Sequence, residues 1–297
     1  LHLKDAKKIN QINIEYGSLI GNEINKFIKK EKCNIDLIAS HGHTIFHEPE
    51  KKLTLQIGDG QTISNITQLT TVSNFRQLDV KLGGQGAPLV PFGDLHLFPK
   101  DKYCLNLGGF ANISIKKNNS IIAYDICPAN IILNYLAKKI NLEFDPEGEI
   151  GKTGKINREL LKILNQLDYY KKTQPKSLSR EWLEKEILSL KELKHTEIKD
   201  LLATFYEHIG FQIGKILEDN SVFISGGGSK NKFLCNKIKK HSKSKIIIAD
   251  KLNIDFKEAM IFGFLGVLKI RNEINCLKSV TGAINDSSVG EIYTHKL

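Results

Sequence analysis

The alternation of strands and helices along the second half of the sequence constrains the fold more than any other feature. After residue 220 the chain reads as strand SVFISGGG, helix KFLCNKIKKHS, strand KIIIAD and helix EAMIFGFLGVLKIR. The clearest helix is predicted over 196–217, where apolar residues recur every three or four positions. This order is typical of α/β layers around a largely buried sheet, so we predict an α/β fold.

The first hundred residues have a different order, in which short strands and turns follow one long helix. An amphipathic helix is predicted over 8–30, and IDLIAS (35–40) reads as a buried strand that ends at HGH. LTLQIG and TTVSNF are predicted as short strands separated by a break at DGQ, and ISIKKNNSIIAYD as a hairpin around Asn118 and Asn119. The change near residue 100 predicts a first lobe over 1–100 and a second over 101–297, with the alternative that the C-terminal helix and tail return to the first lobe.

Size, charge and cysteine content narrow the class of protein. The 297 residues are 41% hydrophobic, enough for two lobes with cores, and no apolar run approaches the roughly 20 residues that span a bilayer. Five cysteines, far apart and never in a C-x-x-C pattern, indicate reduced thiols in a cytoplasmic protein. The net charge of +10 comes mostly from lysines scattered beside glutamates, with four arginines, which argues against nucleic-acid binding.

Three glycine clusters each follow an apolar strand: LGGQGAP (82–88), NLGGFANIS (106–114) and ISGGGSKNKF (224–233). Glycine at a strand end lets backbone N–H groups approach an anion, and ligands of open α/β sheets bind at strand ends. The clusters therefore favour phosphate or nucleotide binding over ordinary turns. Neither the P-loop spacing nor G-x-G-x-x-G is present.

Asp79 is the isolated acid of the segment NFRQLDVKLGGQGAP. It stands between two apolar residues, three positions after Arg76 and just before a glycine turn. A carboxylate held there can accept a proton from a hydroxyl or water, with Arg76 orienting it or holding a substrate anion. The residues alone leave a structural Arg–Asp pair as an equal alternative. Asp125, before CPAN, is either a phosphate-facing or magnesium-facing acid or a cap for the next helix. The histidines of HGHTIFH favour a polar substrate loop or packing over zinc.

Ten segments together resemble the anhydro-N-acetylmuramic acid kinase family, in the order expected of it. They are SHGHTIFHEP, LTLQIGDG, NFRQLDVKLGGQGAPLVP, NLGGFANIS, YDICPANIILNYLA, GKTGKIN, KSLSREW, ISGGGSKNKF, DFKEAMIFGFLGVL and SVTGA. The resemblance implies a two-lobed actin-like (ribonuclease H-like) sugar kinase fold. It also implies a cytoplasmic homodimer that uses ATP and Mg²⁺ to convert 1,6-anhydro-N-acetylmuramic acid to N-acetylmuramic acid 6-phosphate in peptidoglycan recycling.

The same resemblance implies roles for individual residues. Asp79 would be the general base that deprotonates the water attacking the anomeric carbon. The sugar would face His41, Arg76 and Gln85. The nucleotide would meet a phosphate turn of Gly108, Gly109 and Asn112, the adenosine-facing Gly226, Gly227 and Gly228, and Asp125 near magnesium-bound phosphate.

The sequence departs from the family pattern at three places, and each departure predicts a structural consequence. Asn74 replaces the usual aspartate before Phe-Arg, which would alter a supporting hydrogen bond, and Ala129 of CPAN replaces a glycine and so must avoid glycine-only backbone angles. The family's G-T-S-x-D-G phosphate segment does not occur, and the sequence starts at Leu1. These features predict an N-terminally truncated chain with an incomplete first lobe. The alternatives are a kinase of the same fold for another amino sugar, and a non-catalytic actin-like fragment.

Overall fold

A computed structural model describes residues 5–117, 120–174 and 176–295 of the chain. The first elements are α1 (Ala6–Glu31), β1 (Ile38–Ala39), β2 (His43–Glu48), β3 (Leu53–Ile57), α2 (Gly60–Thr67), β4 (Thr71–Ser73), α3 (Gln77–Lys81) and α4 (Val90–Leu97). The middle elements are β5 (Tyr103–Leu107), β6 (Phe110–Lys117), β7 (Ser120–Pro128), α5 (Asn130–Lys138), α6 (Glu149–Thr153), α7 (Arg158–Asn165), α8 (Arg180–Leu183) and α9 (Ile198–Gly214). The last are β8 (Ser221–Ser225), α10 (Lys232–His241), β9 (Lys245–Ile248), α11 (Lys251–Ile270), α12 (Lys278–Thr281) and β10 (Glu291–Tyr293).

Two compact units divide the described residues. Unit 1 comprises those up to His96 and those from Glu258 onward, and unit 2 comprises those from Leu97 to Lys257. Each unit combines helices with its own sheet, which confirms the α/β class. The second unit ends at Lys257 rather than at residue 297, and the C-terminal residues belong with unit 1.

The central strand of unit 1 is β4. It pairs in parallel with β1, Ile38 opposite Thr71, and antiparallel with β10, Ile292 opposite Val72. All three residues of β4 are buried, as expected of a strand with neighbours on both sides. Because β4 ends at Ser73 and α3 begins at Gln77, the chain passes from the buried centre of this sheet into α3 within a few residues. The strands β2 and β3 form a separate antiparallel pair.

Unit 2 is built on a five-stranded sheet in the order β7-β6-β5-β8-β9. The strands β5, β8 and β9 are parallel, whereas β5, β6 and β7 form an antiparallel meander. The predicted hairpin is therefore present, although Asn118 and Asn119 lie outside the described residues. Leu202, Phe205 and Ile209 of the apolar stripe of α9 are buried in the same core as the sheet residues Leu105 and Ile224.

One predicted break is in fact the start of a helix. The DGQ segment was expected only to separate two strands, but α2 begins at Gly60. The Asp59 carboxylate accepts hydrogen bonds from the Thr62 backbone N–H at 2.8 Å and from the Thr62 hydroxyl at 2.7 Å. This side chain caps the helix and so offsets the low helix propensity of Gly60.

Candidate active site

Asp79 lies at the centre of a buried cluster in unit 1. It occupies the first turn of α3 and is 0% exposed. Its Oδ1 accepts hydrogen bonds from the Thr281 hydroxyl at 2.7 Å and the Cys276 thiol at 3.3 Å, and its Oδ2 accepts one from the Gly86 N–H at 2.7 Å. A carboxylate has about four lone-pair directions for hydrogen bonds. One direction on Oδ2 is therefore left unused by the described residues.

The glycine turn after α3 closes around this carboxylate. A side-chain carbon at Gly84 would lie 2.2 Å from Asp79 Oδ2, far inside van der Waals contact. Gly86 has a φ of +65°, a region that favours glycine, and this conformation directs its N–H to Oδ2. The turn therefore requires glycine because the backbone approaches Asp79 closely.

Arg76 does not pair with Asp79. Its Nε donates to His41 Nε2 at 2.8 Å, and its Nη1 donates to the Gly86 carbonyl at 2.6 Å. No ion pair joins Arg76 to Asp79 within the part of the chain that the structure describes. The structural Arg–Asp pair, left open from the residues alone, is thus not formed, and Arg76 instead braces the turn that holds the acid.

His41 is a neutral acceptor for Arg76. Burial and the Arg76 charge lower the pKa of His41 to about 4, so its ring is uncharged at neutral pH. Its Nδ1–H donates to the Gly42 carbonyl at 3.1 Å, which leaves Nε2 free to accept from Arg76. The ring also packs on Phe262 with centroids 4.6 Å apart. Burial lowers the pKa of Arg76, and the Glu258 carboxylate opposes that shift.

Gln85 and Asn74 also lie near the turn, and each makes a local hydrogen bond. Gln85 is exposed, and its backbone N–H donates to the Thr281 carbonyl at 2.8 Å. Asn74 has a φ of 56°, and its side-chain amide donates to Gln77 at 3.0 Å, so this departure from the family pattern makes a local hydrogen bond. The structure brings His41, Arg76, Asp79 and Gln85 into one region of unit 1.

Sequence reasoning missed the two side chains that hold Asp79 from the far end of the chain. Thr281 ends α12, and Cys276 lies just before that helix; both are buried. Burial and the Asp79 carboxylate raise the pKa of Cys276, so the thiol stays protonated and acts as a donor. The only available signal was that Thr281 falls in SVTGA, one of the segments that resemble the family.

In unit 2 the two remaining glycine clusters follow neighbouring parallel strands. The Gly108–Gly109 turn follows β5, and the Gly226–Gly228 turn follows β8; Asn106 on β5 is opposite Ser225 on β8. Between them, the Asn130 side-chain amide donates to the Leu107 carbonyl at 3.0 Å. Because parallel strands end at the same sheet edge, both turns lie together.

Space is open above two of these glycines. A side-chain carbon at Gly227 would meet no atom within 4 Å, and one at Gly109 would meet only Ile131 at 3.8 Å. By contrast, a side-chain carbon at Gly226 would lie 2.4 Å from Asn106 Oδ1. The turns are therefore held close to the sheet on one side and have room for a ligand on the other.

Asp125 and Asn112 belong to one cross-strand row that also includes Asn106 and Ser225. Residues directly opposite each other share a sheet face, so this polar row precedes the glycine turns on one face. The Asp125 carboxylate accepts from the Leu178 N–H at 2.9 Å. Burial raises the pKa of Asp125. It does not cap α5, whose N-terminal cap is Ala129 with no side-chain hydrogen bond.

Ala129 has a φ of −124° and a ψ of −103°, so its φ lies outside the positive region that favours glycine. No helix of the described ranges is both long and apolar enough to cross a membrane. Within those ranges no group of three His, Cys, Asp or Glu side chains could hold a metal ion. A magnesium ion that arrives on nucleotide phosphates needs few protein ligands, because phosphate oxygens and waters supply most of its shell.

These features define what the two units can do chemically. Unit 1 offers one buried carboxylate with a free acceptor direction beside a buried guanidinium. Unit 2 offers backbone turns with space for an anionic ligand, next to a polar row. The first arrangement suits proton abstraction, and the second suits binding of phosphates.

The family model and the sequence relatives agree on one family. The family model for anhydro-N-acetylmuramic acid kinase matches residues 3–295. Proteins of that name are similar to this chain in Caldanaerobacter subterraneus subsp. tengcongensis (34% identity; 98% of this chain, 83% of the relative) and Sulfurimonas denitrificans (32%; 97% and 84%). The protein of that name in Clostridioides difficile is 33% identical over 96% of this chain and 82% of the relative. A solved structure, the activator of 2-hydroxyisocaproyl-CoA dehydratase from Clostridium difficile with bound ADPNP, is 17% identical with a TM-score of 0.34 over 61% of each chain.

Proposed function

The chain belongs to the anhydro-N-acetylmuramic acid kinase family, and we propose that it converts 1,6-anhydro-N-acetylmuramic acid to N-acetylmuramic acid 6-phosphate with ATP as the phosphoryl donor. Such a reaction recycles a cell-wall sugar. The observation that carries the chemical proposal is Asp79, a buried carboxylate fixed by three donors with one acceptor direction free on Oδ2.

Asp79 acts as the general base in this proposal. Its Oδ2 takes a proton from a water molecule whose oxygen forms a bond to the anomeric carbon as the bond from that carbon to O6 breaks. The freed O6 forms a bond to the γ-phosphorus, and the bond from that phosphorus to the bridging oxygen breaks to release ADP. The proton on Asp79 then passes to solvent. One positioned carboxylate is sufficient for the proton transfer, and phosphoryl transfer depends mainly on placement and charge neutralisation.

Arg76 and His41 form part of the proposed sugar-binding site. The guanidinium uses two of its N–H groups on His41 and Gly86, which leaves further donors for the carboxylate of the muramic acid. The neutral His41 holds the guanidinium in place. Gln85, exposed on the same turn, offers its amide to sugar hydroxyls.

The glycine turns of unit 2 form the proposed nucleotide-binding site. The open space at Gly109 and Gly227 has room for phosphate and adenosine to contact the backbone. We propose that the backbone of Gly108, Gly226 and Gly228 in the same turns contacts the nucleotide as well. Asn112 and Asp125, in the row before these turns, are proposed to place the phosphate groups and their magnesium. Magnesium bound to ATP would neutralise charge on the transferred group.

A product assay tests the function. The purified chain is incubated with ATP, magnesium chloride and the anhydro sugar, and products are identified by phosphorus NMR and mass spectrometry. We expect one ADP for each N-acetylmuramic acid 6-phosphate formed. N-acetylglucosamine and N-acetylmuramic acid, which lack the anhydro bridge, serve as comparison substrates. Faster phosphorylation of either would contradict the substrate assignment.

We also propose that the protein is a homodimer, as the family resemblance implies. Sedimentation equilibrium measures this directly. A single species at twice the 33.5 kDa chain mass is expected, and a monomer at micromolar concentration would rule it out.

A further inference from the structure

A second polar pocket lies in unit 2, and we call it the lysine pocket. It has a volume of about 180 Å³, and its polar lining residues are Tyr124, Tyr170, Lys172, Gln174, Lys176, Gln212 and Lys215. Three of these are cations, and no carboxylate lines the pocket. Such a lining selects an anion on charge alone.

The three lysines are not held in ion pairs within the described residues. None of them forms an ion pair with a carboxylate anywhere in residues 5–117, 120–174 or 176–295. Lys176 instead donates to the Tyr169 carbonyl at 3.1 Å and lies 4.7 Å from the centre of the Tyr169 ring, while Lys215 lies 5.7 Å from the Tyr170 ring. Burial and the charges of Lys215 and Lys172 lower the pKa of Lys176, so the cations repel one another when no anion is present.

The floor of the pocket carries an unused acceptor. Gln212 is 0% exposed, and its Nε2 donates to Asn165 Oδ1 at 2.9 Å. Its Oε1 is buried and has no hydrogen-bond partner among the described residues. A buried amide oxygen without a partner costs about 1–3 kcal/mol, so a ligand that donates to it would be favoured.

A hydrogen-bonded chain fixes the direction in which Gln212 points. The His208 Nδ1–H donates to Asn165 Oδ1 at 2.7 Å, and the Tyr170 hydroxyl donates to His208 Nε2 at 2.8 Å. Burial lowers the pKa of His208 to about 3, so the ring is neutral, and the Asn165 oxygen at Nδ1 places its single proton there. With Asn165 Oδ1 accepting from both His208 and the Gln212 amide nitrogen, the Gln212 oxygen is left for the pocket.

The lysine pocket is distinct from the glycine turns. It lies at β7, the terminal strand of the sheet, whereas the turns follow β5 and β8. Tyr124 lines the pocket, and the next residue, Asp125, belongs to the polar row on the opposite face, since consecutive residues of a regularly paired strand face opposite sides. The pocket therefore lies on the other face of the sheet from that row.

We propose that the lysine pocket binds a small oxyanion that carries its own hydroxyl group, of which hydrogen phosphate is the simplest. The lysines bind the anionic oxygens, and Gln212 Oε1 accepts the ligand's O–H. Free phosphate and a hydroxyl-bearing phosphate ester share this chemistry. Sulfate has the same shape and charge but no proton at neutral pH, so it cannot donate to Gln212.

Calorimetric titration tests the proposal on the intact chain at pH 7.5 and fixed ionic strength, with saturating ADP to occupy the nucleotide site. The probes are inorganic phosphate, sulfate and glucose 6-phosphate. We expect saturable phosphate binding that is several-fold tighter than sulfate binding. Lys172→Gln and Lys215→Gln should each weaken it about fivefold, because each removes one close charge pair. Tighter binding of glucose 6-phosphate than of phosphate assigns the pocket to esters, and the reverse assigns it to free phosphate.

Lys171→Gln is the matched control. Lys171 is exposed, pairs with Asp168 at 2.8 Å and does not line the pocket, yet its replacement changes net charge equally. Phosphate affinity should be unchanged in this variant. Absence of saturable binding, equal affinity for sulfate and phosphate, or an equal loss in Lys171→Gln and Lys215→Gln would each overturn the proposal.

Discussion

The glycine turns of the two units look alike in the sequence and do opposite things in the structure. In unit 1 the turn is filled, because a side-chain carbon at Gly84 would fall 2.2 Å from Asp79 Oδ2. In unit 2 the space beside Gly227 is empty within 4 Å, and that beside Gly109 nearly so. Glycine in unit 1 lets the backbone close on an acid, whereas glycine in unit 2 leaves room for something that the chain does not supply.

This difference predicts which substitutions affect folding and which affect only ligand binding. Atoms added at Gly84, where the turn is filled, should disturb both folding and chemistry. Atoms added at Gly227 or Gly109, where the space is open, should leave folding intact and affect only ligand binding. The following predictions test that contrast.

Gly84→Ala should have the largest effect. The new methyl group would displace the Asp79 carboxylate, so we expect about 2 kcal/mol of destabilisation and at least about a hundredfold loss of turnover. Denaturant unfolding and the product assay measure the two quantities. Gly83→Ala is the control, because Gly83 has a φ of +82° but no neighbour within 4 Å. It should cost about 1 kcal/mol of stability and keep turnover within about twofold. Similar turnover in both variants would contradict the filled-turn account.

Thr281→Val should have the next largest effect, as Thr281 positions Asp79. Removing a hydrogen bond to a buried carboxylate costs about 1.5–3 kcal/mol of stability. The Asp79 carboxylate also loses one of the contacts that fix its position, so kcat should fall about thirtyfold. The KM for sugar should stay unchanged, because Thr281 is not proposed to contact the sugar. Thr281→Ser keeps the hydroxyl and should restore most of the turnover. Equal losses in the valine and serine variants would show that the hydroxyl is not what matters.

Gly227→Ala should weaken ATP binding about tenfold and leave the free energy of unfolding within about 0.5 kcal/mol of wild type. The methyl group meets no protein atom but occupies space proposed for the nucleotide. Gly228→Ala is the contrasting variant, because its side-chain carbon would lie 2.8 Å from the Leu107 side chain. That variant should lose stability. Unfolding and nucleotide titration separate the cases, and a destabilised Gly227→Ala would show that the turn is not open.

Both units should contribute to the pH dependence of the free energy of unfolding, since each contains a buried neutral histidine. The pKa of His41 is lowered from 6.5 to about 4 and that of His208 from 6.5 to about 3. Below pH 6.5 the unfolded chain protonates these histidines and the folded protein does not, so stability falls as pH falls from 6.5 toward 4. Each should contribute about 1 kcal/mol between pH 6.5 and 5.5. Urea unfolding of His41→Asn and His208→Asn measures each share, and an unchanged pH slope in either would refute that residue's contribution.

Local patterns predicted much of the fold. Apolar periodicity located α1 and α9, and glycine after an apolar strand located the turns of unit 2. The prediction that DGQ only separates two strands was wrong, because it considered the glycine without the neighbouring Asp59, which caps a helix. Chain order indicated two lobes, but no local pattern indicates that residues from Glu258 onward rejoin unit 1.

The candidate site was predicted only in part for the same reason. Asp79 stood out because a lone acid beside glycines is unusual. Its two side-chain donors, Thr281 and Cys276, lie 202 and 197 residues away along the chain, and no spacing rule reaches that far. The Arg76–Asp79 spacing suggested a pair, yet Arg76 bonds His41 because the closed turn presents the Gly86 carbonyl on that side.

Turnover by Asp79→Asn tests the central claim most directly. Asparagine has the same shape, and the Thr281 hydroxyl can turn to accept from its amide while donating to the Leu277 carbonyl, which lies 3.4 Å away. Folding and sugar binding, measured by unfolding and by titration, should therefore stay near wild type. We expect kcat for N-acetylmuramic acid 6-phosphate formation to fall by orders of magnitude, because the amide cannot accept the proton of the attacking water. Near-normal kcat in a folded, sugar-binding variant would contradict the account.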